Sequence, residues 1–254
     1  MTAALSIGVA AAAGPEVAAR VAAAAEAAGL HALWANDTPG HDALAALGAA
    51  AGETQRLVLA TGVLPIDRRA PDDIVAGASG LPADRLVLGI GSGQLRHGAV
   101  EGVTDAAAAL RARTQARVVV GALGPRMRRA GATASDGLLL SWLTPEVAAE
   151  QARHAHELAG TAHVALYVRT AADPAATSVL DEEARRYAGY PAYAANFARL
   201  GVEATDTVIR PAALRDRIAA YRAVADEVVL RAITASGSVD EHLRFVEAVA
   251  EAVA

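Results

Sequence analysis

A closed parallel barrel of eight strands, (β/α)8, is the α/β fold class the sequence predicts, on three observations. Short apolar runs alternate with longer amphipathic stretches along all 254 residues. The short runs are continuously apolar rather than alternating, as strands covered on both faces must be. Eight strand–helix units occur, and right-handed crossovers between parallel strands let eight close on themselves. A doubly wound open sheet is the competing arrangement. No linker or change of composition divides the chain, so residues 1–254 read as one domain.

The elements follow in order. "LSIGVAA" is the first strand, and residues 15–28 form the first helix, with Pro15 suited to its opening turn. "HALWAN" is the second strand; a helix over residues 42–51 and the strand "RLVLATGV" come next. Pro71, Asp72 and Asp73 open the third helix, and "RLVLGIG" is the fourth strand. A short link and a helix near residues 104–113 lead to "ARVVVGAL"; another helix starts near Pro125, before "DGLLLSWL". "TPEVAAEQARHAHELAG" carries Thr144 as N-cap, Pro145 at the first position and Gly160 as terminator. "AHVALYVRT" is the seventh strand, residues 177–200 form a long helical region, and residues 211–222 hold a short helix. "DEVVLRAIT" is the eighth strand, and the last helix starts near Ser238. The charge run Asp181-Glu182-Glu183 with Arg185 and Arg186 reads as a solvated helix face.

Composition narrows the function classes. Hydrophobic residues make up 54% of the chain, ample for a core, while aromatic residues supply only 4%. A net charge of −5 disfavours a nucleic-acid partner. The absence of cysteine excludes disulfides, thiolate metal sites and cysteine nucleophiles. His154 and His156 are two apart and diverge on a helix, so no metal site is expected. The apolar start lacks the basic residues of a secretory leader. No uncharged stretch reaches the roughly 18 residues of a membrane span. A cytoplasmic protein without membrane partners is expected.

In such a barrel the chemistry belongs to the loops after the strands' C-terminal ends. Asn36 and Asp37 follow the second strand, Thr61-Gly62-Val63 the third, and Gly91-Ser92-Gly93-Gln94 the fourth. Residues 121–126, Ser141-Trp142, Arg169-Thr170 and residues 234–237 follow the remaining ones. Loops of this make-up expose N–H groups that can grip an anionic or flat polar ligand. Gly89, Gly91 and Gly93 stand together where a strand should pack side chains, which predicts that something comes close to that backbone. The stretch is no dinucleotide fingerprint, because it lacks the final glycine and follows the fourth strand.

The order of motifs is more specific than any one of them. T-G-V ends the third strand and G-I-G-S-G the fourth; "ALGPRM" and "SDGLLLSWLTP" come after. The chain thereby resembles the bacterial luciferase-like monooxygenase family, most closely its coenzyme F-420-dependent branch, over most of its length and less towards the C-terminus. The resemblance implies a barrel mouth that holds a flat tricyclic ring, either the deazaflavin F-420 or FMN, and hydride transfer with a small organic substrate. It implies that the peptide joining Gly62 and Val63, a bond often cis in this family, bulges against the ring. Asn36 and Thr61 would also bind the cofactor, and Ser92, Gly93 and Gln94 would lie along the ring edge. Gly124, Pro125 and Arg126 would open a helix whose free N–H groups accept the coenzyme phosphate. A homodimer is also implied.

Departures from the family pattern matter. The long insertion that relatives carry between the fourth and fifth strands is shortened here, which predicts a more open site. The branch acting on sugar phosphates has Asp-His and Glu where this chain has Asn36-Asp37 and Gln94, and Gln94 cannot exchange protons. Asp37 is the candidate general acid or base, its other reading being a turn residue or helix cap. His97 and Trp142 are candidate substrate-pocket residues. Two readings compete with the oxidoreductase. A degenerate, non-catalytic barrel serving as a partner subunit would have its mouth filled. A barrel acting on a phosphorylated metabolite would bind the anion at Ser236-Gly237-Ser238.

Overall fold

The computed structural model describes residues 2–254, and its first feature is closure. Strands β1 (Ala4–Ala10), β2 (Ala32–Asn36), β3 (Val58–Thr61) and β4 (Leu86–Gly91) are followed by β5 (Arg117–Gly121), β6 (Gly137–Ser141), β7 (His163–Thr170) and β8 (Glu227–Ala232). Each pairs in parallel with the next, and β1 pairs with β8 through Ile7 and Leu230, so no edge remains. The chain is a single-domain (β/α)8 barrel.

The outer ring comprises α1 (Gly14–Ala27), α2 (Ala43–Gly52), α3 (Pro71–Ala78), α4 (Ala99–Arg111), α5 (Pro125–Ala134) and α6 (Pro145–Leu158), completed by α7 (Thr177–Ala188), α8 (Pro191–Leu200), α9 (Leu214–Arg222) and α10 (Val239–Val253). Each strand serves two cores. One set of side chains meets the helices; the other fills the barrel, where Ala60 and Ala165 make room for Trp34 and Tyr167. Large beside small is how so narrow an interior packs. Among the described residues no helix is long and apolar enough to cross a membrane.

The barrel is closed below by one buried carboxylate. Glu227, at the first position of β8, accepts hydrogen bonds from Ser6 Oγ and Trp34 Nε1, each at 2.6 Å, and pairs with His163 Nε2 at 2.9 Å. Burial pushes its pKa up. The bonds from His163 and Ser6, with the nearby histidine charge, more than offset that and hold it below the ordinary value.

Several boundaries differ from expectation. The helix α4 starts at Ala99 rather than near 104, after Gly98 turns left-handed at φ 62°. Helix α6 ends at Leu158 with Ala159 as its extended cap, so termination precedes Gly160. Residues 177–200 are two helices, not one: Pro191 has no N–H to continue the ladder and opens α8 instead. The third strand stops at Thr61, and Leu64–Pro65 pairs again beside Ile90 and Gly91.

Candidate functional site

The break after Thr61 organises the barrel mouth. Ala60 is the last β3 residue paired with β4, opposite Val87. The chain then bulges through the cis Gly62–Val63 peptide. This leaves the N–H and C=O of Gly89 facing no backbone partner. The Thr61 hydroxyl replaces both, accepting from Gly89 N–H at 2.9 Å and donating to its carbonyl at 3.0 Å. Thr61 is fully buried in this role and does not line the cavity above.

The glycines of β4 now have an explanation. A Cβ on Gly89 would collide with the Thr61 carbonyl, and one on Gly91 would lie 2.8 Å from Val63 Cγ2. A Cβ on Gly121 would meet the other Val63 methyl at the same distance. Val63 thus fills a slot between β4 and β5 that two absent side chains leave open. Gly93, at φ 59°, yields to the Asp67 carboxylate, which accepts from the N–H of Gln94. The close approach is real, but the chain's own bulge makes it at Gly89 and Gly91.

A hydrogen-bonded chain fixes the floor. Tyr167 Oη donates to Asn36 Oδ1, and Asn36 Nδ2 donates to the Gly62 carbonyl. Burial pushes the Tyr167 phenol well above its ordinary value, so it stays a donor at neutral pH. Its ring lies over Gly8 of β1, where a Cβ would come within 2.6 Å of Oη. Gly8→Ala is therefore expected to displace Tyr167 and cost about 1–3 kcal/mol by overpacking. Urea unfolding, with Tyr167→Phe as the comparison that leaves the ring in place, checks this.

Above this floor lies a cavity of about 630 Å³, within the range of small-molecule and cofactor sites. It brings together Asn36, Asp37, Gly62 and Val63 with Ser92, Gly93, Gln94 and Gly124. Asp37 is committed to its neighbours: Arg68 at 3.1 Å, Arg69 at 2.9 Å and the N–H of Ala43 at 3.2 Å. It fastens the β2–α2 loop to the segment before α3. Pro125 and Arg126 lie outside the cavity, Arg126 reaching Glu101 at 3.6 Å on the outer surface. His97 is exposed and apart from it. Trp142 is buried behind the wall, packing on two residues that line the cavity: Arg169, whose guanidinium sits 4.2 Å over its ring, and Tyr187, whose ring centre lies 4.7 Å away.

Sequence reasoning missed the cover. Helices α7 and α8, inserted after β7, close over the mouth and contribute Tyr187, Tyr193, Asn196 and Arg199. Of two Trp, five Tyr and two Phe in the chain, Tyr187, Tyr190, Tyr193 and Phe197 fall on this short segment. That density was the available signal. Glu183 turns inward rather than joining a solvated face, and it accepts from Arg169 Nε at 3.2 Å. Burial pushes the Glu183 carboxyl up, but the Arg169 and Arg231 charges prevail and hold it low. The cavity is cationic: Arg68, Arg169 and Arg199 line it against Asp37 alone. Arg128 of α5 is close behind, its pKa lowered by burial and then by the like charge of Arg199.

Two other places are occupied by the protein itself or lack ligands. The Ser236 and Gly237 N–H groups before α10 both donate to Glu241 Oε2, at 2.8 and 3.2 Å, so a carboxylate already holds that anion site. Among the described residues no three His, Asp or Glu side chains are grouped to hold a metal.

Residues 2–115 match the sequence model of the luciferase-like monooxygenase family. No curated protein sequence matches the chain. Among solved structures, coenzyme F-420-dependent tetrahydromethanopterin reductase from Methanopyrus kandleri is similar, with TM-score 0.74 and 15% identity, covering 99% of this chain and 98% of that one. A coenzyme F-420-dependent secondary alcohol dehydrogenase, solved with an F-420–acetone adduct, aligns at TM-score 0.72 and 14% identity over 98% and 99%. The oxygenating constituent of 3,6-diketocamphane monooxygenase from Pseudomonas putida, in complex with FMN, aligns at 0.64 and 13% over 99% and 98%. At these identities the likeness is one of fold.

Proposed function

We propose, from the family match and the barrel mouth together, that the chain is a luciferase-like oxidoreductase whose mouth seats the deazaflavin F-420, with FMN as the alternative, and that hydride passes between it and a small organic compound. One observation carries this reading. A bulge wedged between glycine-bearing strands presents backbone to a roomy, cationic cavity in a chain of net charge −5. The open cavity also argues against a degenerate barrel with a filled mouth.

The residues present fit such a group. Gly62 and Val63 offer a flat backbone face, held by Asn36, while Ser92, Gly93 and Gln94 offer polar edges. Gly124 caps α5 with no side chain, so the first N–H groups of that helix are free for an anion. Arg199, with Arg128 behind it, supplies the charge there rather than Arg126. A bound deazaflavin would supply a hydride acceptor or donor; the protein positions it and keeps water from its face. Asp37 acts as a positioning residue through its ties to Arg68 and Arg69.

Titrating the apoprotein with each coenzyme, read by the coenzyme's own fluorescence, tests the reading. Binding of one of them is expected, and Arg199→Ala should weaken it about 10- to 100-fold, as loss of a charged hydrogen bond does. Arg126→Ala should leave it unchanged. No response to either coenzyme would refute the assignment.

A further inference from the structure

We propose that Arg169 and Asn196 form a carboxylate-binding subsite, so that the compound turned over beside the coenzyme is a small carboxylic acid with an apolar body. This deepens the preceding reading and rests on it for the word "turned over", though not for the binding itself.

The observation is a pair of unsatisfied donors. Arg169 is 6% exposed and Asn196 4%; both line the cavity. Arg169 Nη1 and Asn196 Nδ2 have no hydrogen-bond partner in the protein. The Asn196 amide cannot turn to hide the defect, because its Oδ1 accepts from Arg199 Nη2. Trp142 Nε1, directly behind Arg169, is a third buried donor without a partner. Buried donors left unpaired lower stability, and a folded chain keeps them only for a reason. No cavity-lining side chain has a buried acceptor in the same condition. What the cavity's lining lacks is an acceptor.

The geometry narrows the acceptor further. The Arg169 guanidinium sits 4.2 Å from the Trp142 ring centre and 4.8 Å from that of Tyr187, so aromatic rings hold its orientation. Its Nε faces Glu183, which engages one edge and leaves Nη1 for another group. A flat fork with one free edge takes two anionic oxygens side by side, and the apolar rings around it favour those of a carboxylate over the more strongly hydrated phosphate. Glu183 does not neutralise the place, since it is shared with Arg186 at 3.7 Å and feels the Arg231 charge. Tyr187 and Tyr193 wall the remaining space, which favours an apolar or aromatic body.

The test needs no coenzyme. Calorimetric titration of the apoprotein with benzoate, benzamide and inorganic phosphate separates charge, shape and anion type. Benzoate is expected to bind at least tenfold more tightly than benzamide and than phosphate. Arg169→Gln should weaken benzoate about tenfold or more, and Arg169→Lys should not restore it, because the charge returns without the fork. Asn196→Ala, on α8 and outside the aromatic stack, should also weaken it severalfold. It remains decisive if the arginine variants fail to fold. Equal binding of benzoate and benzamide, phosphate binding as strong as benzoate, or wild-type benzoate affinity in Asn196→Ala would each overturn the subsite. Coenzyme titrations fail or succeed separately, so the two readings can fall one at a time.

Discussion

Glu227→Ala is expected to destabilise the protein by about 3–5 kcal/mol, the cost of breaking a buried charged network while its partners stay behind. The substitution strands Ser6 Oγ and Trp34 Nε1 inside the barrel and leaves His163 without its counter-charge. For a chain of this size, a thermal midpoint lower by roughly 10 °C follows, measurable by circular dichroism. The pH dependence has a definite sign. Because the native carboxyl is held below its ordinary value, its stabilisation is fully present above the unfolded value near ~4.3. It is lost as pH falls through the lower native value. Glu227→Gln should therefore lie well below wild type at neutral pH and converge with it under acid. A gap that stays constant down to pH 2 would contradict the network.

Thr61→Val should cost about 2–4 kcal/mol although the two side chains have nearly the same shape. The hydroxyl serves two backbone groups of Gly89 at once, and valine leaves both buried and unpaired. Thr61→Ser keeps the oxygen and should lose less than half as much. On the proposed reading Thr61→Val should also weaken coenzyme binding, because the bulge that forms the cavity's flat face starts at this residue. Urea unfolding and coenzyme titration of the two variants side by side provide the measurement. Valine and serine variants of equal stability would show that the hydroxyl does not support the bulge.

The barrel was legible because parallel strands buried on both faces leave a signature that composition alone does not: uninterrupted runs such as "RVVVG" and "GLLLS". The glycine cluster was legible as a place of close approach. What approaches was not, since a glycine makes equal room for a ligand and for a neighbouring strand. Residues read from the mouth loops divided for a geometric reason. Arg126, Arg128 and Arg129 succeed each other on a helix at about 100° per residue, so only structure decides which one turns inward. Arg169 stood visibly at a strand end, yet its burial depends on Trp142 from another loop and Tyr187 from α7. Such distant partners have no local trace. The break at Pro191 did have one, because a proline opens helices as readily as it ends them.

The cover over the mouth comes from one continuous stretch, the two helices after β7, whereas the bulge and its glycine slot belong to β3, β4 and β5. The family match ends at residue 115, before that stretch begins. The floor of the cavity and its cover are thus written in different parts of the gene. Drift or grafting within residues 177–200 can change the side chains of the cover while the bulge and its glycine slot are inherited intact.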